Sequence, residues 1–277
     1  MPLKLMYITN QPAVALLAEK YGVDRIWIDL EQLGKEERQR DIDSVKSHHS
    51  MEDIAVLSKV LTVSELMVRI NPCNPKTEEE IEQAIALGAE RIMLPMWKSK
   101  ADADRFLNAI HGRVATTLLL ETKEAVACLD EVMENPYLDE IHIGLNDLHL
   151  SYGLTFMFEL LTNGVVEGLC QKLKARGVPY GFGGVARIGE GMVPSERIMT
   201  EHYRLGSTRV ILSRSFCNAE EIRDLKKVEK ILSENVGKLR AFEKQLEQAT
   251  DEDFRRNRQV LEEGIARIVS SMEKAKA

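Results

Sequence analysis

Charged side chains stand at the ends of short apolar runs in the sequence, where few charges are expected. Asp29 and Glu31 close one such run, Arg69 and Glu121 end two others, and Asp147 follows a fourth. Two carboxylates in one small space repel each other unless a cation lies between them. Oxygen ligands with open positions suit Mg²⁺ or Mn²⁺. We therefore expect Glu121 and Asp147 to hold a divalent cation.

Arg69 carries a planar fork of N–H donors that matches a carboxylate or an enolate oxygen. Asp29 and Glu31 are two residues apart, so they share one strand face and would orient Arg69 or a water on the metal. A simpler interpretation remains open. Glu121 would then pair with Arg69 or a loop lysine, and Arg69 would form a salt bridge to Asp29 or Glu31.

Histidine is the side chain best matched to proton transfer near neutral pH. His149 lies two residues past Asp147 and is a candidate base or supporting partner. His48 and His49 stand in a polar stretch after the second apolar run, where adjacent histidines are usually solvated. We expect His149, or the pair His48 and His49, to supply proton transfer.

Eight apolar runs, separated by segments with helical periodicity, would bring these side chains together. The runs are Leu5 to Thr9, Arg25 to Leu30, Glu65 to Ile70, Arg91 to Met96, Thr116 to Glu121, Glu140 to Leu145, Tyr180 to Val185 and Arg209 to Ser213. This alternation predicts an α/β fold, a (β/α)₈ TIM barrel with catalytic groups at the carboxyl ends of the strands. No G-x-G-x-x-G turn follows the first run, which disfavours an open doubly wound sheet.

The pattern changes after residue 217. Residues 1–217 are expected to form the barrel domain, and residues 218–277 a C-terminal helical extension with an apolar stripe at helical spacing. That stripe must be buried, either on the barrel itself or against another subunit. We expect a homo-oligomer in which these helices contribute the contact.

Composition limits the partners. Lys and Arg number 37 against 44 Asp and Glu, a net charge of -7, so no cationic surface for nucleic acid is expected. Four scattered cysteines form no C-x-x-C pair, which suggests neither disulfides nor structural zinc and fits a cytoplasmic protein. No run has the roughly 20 apolar residues needed to span a bilayer, and the amino terminus is too short an apolar run for a signal peptide.

Five ordered segments resemble the HpcH/HpaI aldolase and citrate lyase family of the phosphoenolpyruvate/pyruvate barrel superfamily. They are Trp27-Ile28-Asp29-Leu30-Glu31, Val68-Arg69-Ile70-Asn71, Gly88-Ala89-Glu90-Arg91-Ile92-Met93-Leu94-Pro95, Leu120-Glu121-Thr122-Lys123-Glu124-Ala125-Val126 and Ile143-Gly144-Leu145-Asn146-Asp147-Leu148. The resemblance covers most of residues 20 to 216.

By this resemblance, Glu121 and Asp147 would bind Mg²⁺ or Mn²⁺ and Arg69 would steady the keto or enolate oxygen of a small 2-oxo acid. It also implies that Pro95 and Gly144 contribute to substrate binding. The family's aldolases carry a histidine directly after the D-x-E segment, and here that position is Gln32. Its amide cannot act as a base.

The resemblance implies a divalent-metal-dependent carbon-carbon lyase that cleaves a 4-hydroxy-2-oxo acid to pyruvate and an aldehyde. One alternative is a CoA-thioester lyase of the citrate or malyl-CoA type, for which a basic rim would be needed. Its candidates are Lys98, Lys100, Arg187 and Arg214. A second alternative is a binding barrel without turnover.

Overall fold

Eight parallel strands close into a barrel in the computed structural model, which describes residues 2–33 and 49–276. Each strand pairs with the next along the chain, and β1 pairs with β8. The strands are Lys4–Ile8 (β1), Arg25–Asp29 (β2), Glu65–Arg69 (β3), Arg91–Leu94 (β4), Ala115–Leu120 (β5), Glu140–Ile143 (β6), Tyr180–Val185 (β7) and Arg209–Leu212 (β8). The predicted TIM barrel is confirmed.

Helices surround the barrel, with helix contacts on β2, β3, β5 and β7 among those described. Those described within residues 2–33 and 49–276 are Pro12–Lys20 (α1), Met51–Leu57 (α2), Thr77–Leu87 (α3), Lys100–Ile110 (α4), Lys123–Val132 (α5), Leu145–Ser151 (α6), Glu159–Thr162 (α7), Val165–Ala175 (α8), Ser195–Leu205 (α9), Leu225–Leu246 (α10) and Asp251–Lys276 (α11). Helix α10 packs on α1, and α11 packs on α9 and α7. No helix in this described part of the chain is long and apolar enough to cross a membrane.

Side chains that point into the barrel form layers, because alternate residues of a strand share one face. Strand β2 sends Arg25, Trp27 and Asp29 inward, from the amino-terminal end of the barrel to the mouth. The middle layer is largely apolar and includes Met6, Trp27, Met67, Met93 and Leu119, with the buried His142 beside Leu119 as its register partner. It separates a polar layer at the amino-terminal end from the charged mouth.

The polar layer at the amino-terminal end is a buried ion network. Glu140 contacts Arg25 at 2.7 Å, Arg209 at 2.5 Å and Arg91 at 3.3 Å. Glu65 bridges Arg25 and Arg91 from the neighbouring strand. Burial alone would raise the pKa of Glu140, but the three guanidinium groups lower it to about 2. Paired charges at this end of a barrel serve stability, since the chemistry of such folds lies at the other end.

Candidate active site

Glu121 follows directly after β5 and its carboxylate is buried at the barrel mouth, with the residue only 3% exposed. The backbone N–H of Met96 donates to Oε1 at 2.9 Å. Met96 has a φ of 52°, which is rare outside glycine and is the kind of backbone strain that clusters at functional sites. The carboxylate is thus held in one place by the loop that follows β4.

Gly144 leaves the space that Glu121 occupies. It is the N-cap of α6, and a Cβ added there would lie 2.8 Å from Glu121 Oε2 and 3.0 Å from Glu121 Cβ. Real Cβ atoms do not approach that closely, so a side chain at this position would displace the carboxylate. Gly144 therefore shapes the position of Glu121, and neither Gly144 nor Pro95 lines the mouth cavity.

Asp147 lies in the first turn of α6. It lines both the mouth cavity, which contains Arg69, and a neighbouring cavity that Glu121 also lines. Burial raises the pKa of Glu121 well above its ordinary value, and the charges of Asp147 and Glu31 raise it further. Arg69 and the Met96 N–H oppose this only in part. Glu121 and Asp147 repel each other when both are ionised, and together they form a set of oxygen ligands that fits a divalent cation.

No group of three or more His, Cys, Asp or Glu side chains within residues 2–33 and 49–276 is arranged to hold a metal. A pair of carboxylates still suits Mg²⁺ and Mn²⁺, because Mg²⁺ in particular retains several waters and takes one or two carboxylates together with groups from the substrate. The residues present fit such an ion, and its binding to Glu121 and Asp147 stays a prediction.

Arg69 is fixed by the two acidic residues of the β2 end. Asp29 and Arg69 are register partners on β2 and β3, and Arg69 Nε and Nη2 each donate to Asp29 at 2.8 Å. Nη1 lies 3.3 Å from Glu31. The Trp27 ring centroid is 5.0 Å from Arg69 Cζ. Burial alone would lower the pKa of Arg69, but Asp29 and Glu31 raise it above its ordinary value, so Arg69 stays charged.

His49 lies buried against the same strand end and lines the mouth cavity with Asp29 and Arg69. The backbone N–H of Asp29 donates to His49 Nδ1 at 2.9 Å. A nitrogen that accepts a hydrogen bond carries no proton, so the neutral ring must carry its proton on Nε2. The paired residue of the sequence prediction, His48, lies outside the described residues.

His149 is not brought to the mouth. Its ring is buried, and Nδ1 lies 3.3 Å from the carbonyl oxygen of Leu145, one turn earlier in α6. It is absent from the side chains that line the two cavities next to Asp147. Its contacts are those of a histidine packed against its own helix.

The mouth cavity has a volume of about 270 Å³, enough for a small organic acid. Its wall includes polar residues that the sequence did not single out, contributed by the ends of β1 and β8 and by α6. They are Tyr7, Thr9, Asn10, Asn146, Ser213 and Asn218. Their signal in the sequence is weak, since single polar residues follow most strands of any barrel.

The model of the HpcH/HpaI aldolase/citrate lyase family matches residues 4–159, which contain β1 to β6, Arg69, Glu121 and Asp147. The chain belongs to this family. Since the family comprises aldolases and citrate lyases, membership supports an enzyme of the lyase class. The sequence has no significant match among curated proteins.

Solved structures share the fold at low identity. An HpcH/HpaI aldolase from Desulfitobacterium hafniense DCB-2 is 14% identical with a TM-score of 0.61, covering 83% of this chain and 93% of that one. A family protein from Burkholderia cenocepacia J2315 is 14% identical with a TM-score of 0.58, over 82% and 95%. The citrate lyase beta subunit from M. tuberculosis, complexed with oxaloacetate and magnesium, is 16% identical with a TM-score of 0.56, over 83% and 97%.

The Gly144→Ala variant should bind Mn²⁺ at least about tenfold more weakly than the wild type, because the new methyl group would push Glu121 from its position. Isothermal titration calorimetry measures this affinity directly. Gly168→Ala, on α8 with open space around its Cβ, is the matched control and should bind Mn²⁺ normally. Equal affinity in both variants would show that Gly144 does not position a metal ligand.

Proposed function

We propose that this protein is a divalent-metal-dependent carbon-carbon lyase of the class II aldolase type, which cleaves a 4-hydroxy-2-oxo acid to pyruvate and an aldehyde. The observation that carries the proposal is the buried Glu121 carboxylate, which faces Asp147 and Glu31 and has a raised pKa. Arg69, fixed by Asp29, lies at the same mouth. Opposite charges collected at one barrel mouth suit the binding of an anionic substrate and a cation together.

Glu121 and Asp147 would hold Mg²⁺ or Mn²⁺. When bound, such an ion acts as a Lewis acid and stabilises the negative charge of an enolate. The relative with oxaloacetate and magnesium in its structure supports both the kind of ion and the kind of acid. Met96 contributes by holding Oε1 of Glu121 at 2.9 Å, which limits the ways that the carboxylate can turn.

Arg69 would bind the keto oxygen of the substrate and stabilise charge on it as the bond breaks. Three of its five N–H groups are directed at Asp29 and Glu31, which leaves donors for a ligand. Asp29 and Glu31 act as positioning residues, because their contacts fix the plane of the guanidinium before the substrate arrives. Such preorganisation avoids reorganisation at the moment of reaction.

His49 would bind a substrate oxygen as a neutral hydrogen-bond donor. The sequence suggested a base, but Nδ1 accepts the N–H of Asp29, so Nε2 carries the proton and cannot take up another. A base at Nε2 would need the proton on Nδ1, where it would meet the N–H of Asp29. The geometry thus favours donation to the hydroxyl or aldehyde oxygen of the substrate. The hydroxyl proton released on cleavage would pass through solvent water to C3 of the enolate, which becomes the methyl group of pyruvate.

Two substitutions separate a donor from a base at position 49. Gln places an amide N–H near the position of Nε2, so His49→Gln should keep turnover within about tenfold of the wild type. His49→Asn reaches only the Nδ1 position and should lose about 100-fold or more. Rates of pyruvate formation measure both. If His49→Gln falls as far as His49→Asn, the donor role is wrong.

Metal-dependent oxaloacetate decarboxylation and exchange of the C3 protons of pyruvate in D₂O test the proposed function. Both need only a cation and enolate stabilisation, so the identity of the aldehyde does not matter. With Mn²⁺ both activities should appear, and EDTA should abolish them. Absence of both would favour a binding barrel without turnover.

The CoA-thioester alternative has less support from the basic residues at the rim. Lys100 pairs with Asp104, and Arg187 is bound to the carbonyl of Phe216 and to Glu190. These contacts commit two of the four candidates to intramolecular roles. A thioester substrate therefore remains the second candidate.

We also propose that the C-terminal helices mediate self-association. Part of their apolar stripe packs on the barrel, with Leu239, Leu261 and Ile265 buried, while Val260 and Leu225 stay exposed at 39% and 45%. Sedimentation velocity at micromolar concentration should show an oligomer, and Val260→Glu should weaken it. A single monomeric species for the wild type would rule this assembly out.

A further inference from the structure

Another cavity adjoins the mouth cavity at the carboxyl ends of β7 and β8. Its volume is about 170 Å³, and it is lined by apolar side chains from the loop before α7, the end of β7, the segment between β7 and α9, and α9 itself. The main contributors are Phe156, Phe158, Val185, Met192, Val193 and Ile198. We call it the side cavity. No charged side chain is among the described residues that line it.

The polar groups on the wall of the side cavity are already engaged. Ser195 Oγ donates to the carbonyl of Arg187 at 2.8 Å, and the hydroxyls of Ser213 and Ser215 lie 2.7 Å apart and bond to each other. A hydroxyl or carboxylate placed in the cavity would lose hydrogen bonds with water and find few partners in exchange. The side cavity therefore selects apolar groups.

Ser213 lines both the side cavity and the mouth cavity that contains Asp29, Arg69 and Asp147. The backbone N–H of Ser213 donates to the carbonyl of Val185 at 2.9 Å, so this shared wall is fixed to the end of β7. A ligand whose charged end lies at Arg69 can thus extend past Ser213 into apolar surroundings. The two cavities together match a molecule with one ionic end and one apolar end.

The walls of the side cavity are largely formed in advance. Arg187 Nε donates to the carbonyl of Phe216 at 2.9 Å and ties the segment after β7 to the segment after β8. Phe156 and Phe158 pack edge to face with their centroids 5.3 Å apart. Met192 stands at the rim, 65% exposed, and its flexible thioether side chain can adapt to different apolar groups.

We propose that the side cavity binds the apolar substituent of the substrate, so that the preferred aldehyde is a short aliphatic or aromatic one and not a polyhydroxylated one. The inference rests on the proposed function, which supplies the 2-oxo acid end at the mouth. At about 30 Å³ for each water-sized group, the cavity has room for roughly five or six heavy atoms. Propyl to phenyl substituents would fit this size.

Binding of 2-oxo acids of increasing length tests the inference without requiring turnover. Calorimetry with Mn²⁺ present would compare pyruvate, 2-oxobutanoate, 2-oxopentanoate and 2-oxohexanoate, with 2-oxoglutarate as a chain that ends in a charge. Affinity should rise about fourfold with each added methylene group, as expected for transfer from water to an apolar site. The longer chain of 2-oxoglutarate should give no increase in affinity over pyruvate, because it ends in a charged carboxylate.

Ala186→Phe is designed to fill the side cavity. The substitution should abolish the increase in affinity with chain length. It should leave pyruvate affinity unchanged, since Ala186 lines the side cavity and not the mouth cavity. Met192→Trp, at the exposed rim, is the second variant in case the first does not fold. Val63→Phe adds similar bulk at an exposed position just before β3, at the amino-terminal end of the barrel, and should keep the increase in affinity with chain length.

The outcomes separate the two proposals. Pyruvate binding without a dependence on chain length, or with the same dependence in the filled variants, would show that the side cavity is only a packing void and overturn this inference alone. If neither pyruvate nor any longer 2-oxo acid binds, the proposed function and the inference built on it are both wrong.

Discussion

Glu121→Gln should lower the affinity for Mn²⁺ by more than about 100-fold and abolish metal-dependent pyruvate exchange. Loss of groups that merely support a metal ligand costs about 10- to 100-fold, so loss of a charged ligand should cost more. Calorimetry measures the affinity, and Glu131→Gln on the exposed face of α5 is the matched control. Unchanged Mn²⁺ binding by Glu121→Gln would place the metal elsewhere.

The same substitution should behave differently without metal. Burial and the nearby Asp147 and Glu31 raise the pKa of Glu121, so its ionised form is disfavoured in the folded protein. The stability that protonated Glu121 provides is full below the ordinary carboxyl pKa and is lost as the pH rises through the raised value. At neutral pH the metal-free Glu121→Gln protein should therefore be at least as stable as the wild type. Thermal unfolding should show Mn²⁺ stabilising only the wild type.

Arg69→Lys should lower turnover by on the order of 100- to 1000-fold, because an ammonium cannot make the paired contacts that hold the guanidinium plane on Asp29. Arg69→Met should in addition destabilise the fold by about 3 to 5 kcal/mol, since it leaves Asp29 and Glu31 buried without this cation. Initial rates and urea unfolding measure the two effects.

Arg91→Lys is the control for Arg69→Lys, because Arg91 also lies inside the barrel and pairs with acidic residues. It belongs to the network at the amino-terminal end, on the other side of the apolar layer from the mouth. It should reduce stability while the turnover rate stays close to that of the wild type. A wild-type rate for Arg69→Lys itself would remove Arg69 from the chemistry.

Strand positions were predictable from the sequence because apolar runs bounded by polar turns leave little choice. Every predicted run overlaps a strand, and most ends differ by only one or two residues. Gly88 and Gly206 end helices α3 and α9 in the left-handed conformation, which glycine adopts at little steric cost. The residues at the mouth followed from the strand positions, because a residue directly after a barrel strand lies at the carboxyl end of the barrel.

The histidines were harder to place from sequence alone. Asp147 and His149 are two residues apart on α6, which turns their side chains by roughly 200° relative to each other. Because α6 begins at Leu145, Asp147 and His149 lie on the same helix. A position two residues from Asp147 therefore directs the His149 side chain away from the site. The role of His49 depends on one hydrogen bond from a backbone N–H 20 residues earlier, which no local pattern encodes.

The ion network was visible in the sequence but was not recognised. Arg25, Glu65, Arg91, Glu140 and Arg209 are each the first residue of a strand. A charge at that position of several strands marks an inward-facing layer, because alternate residues point into the barrel. Its pairing could not be read from sequence, as the partners come together only through the barrel register.

That network has a consequence for how the chain folds. Arg25 and Glu140 are separated by 115 residues, and Arg209 and Glu140 by 69, so their pairing requires closure of very long loops. A slip of one residue would turn a charge from the interior into the helix layer, where it would lose its partners. A half-closed barrel gains nothing from these pairs and still bears the cost of desolvating them. The network therefore makes barrel assembly more cooperative, penalising partly assembled and misregistered barrels more than it strengthens the native one.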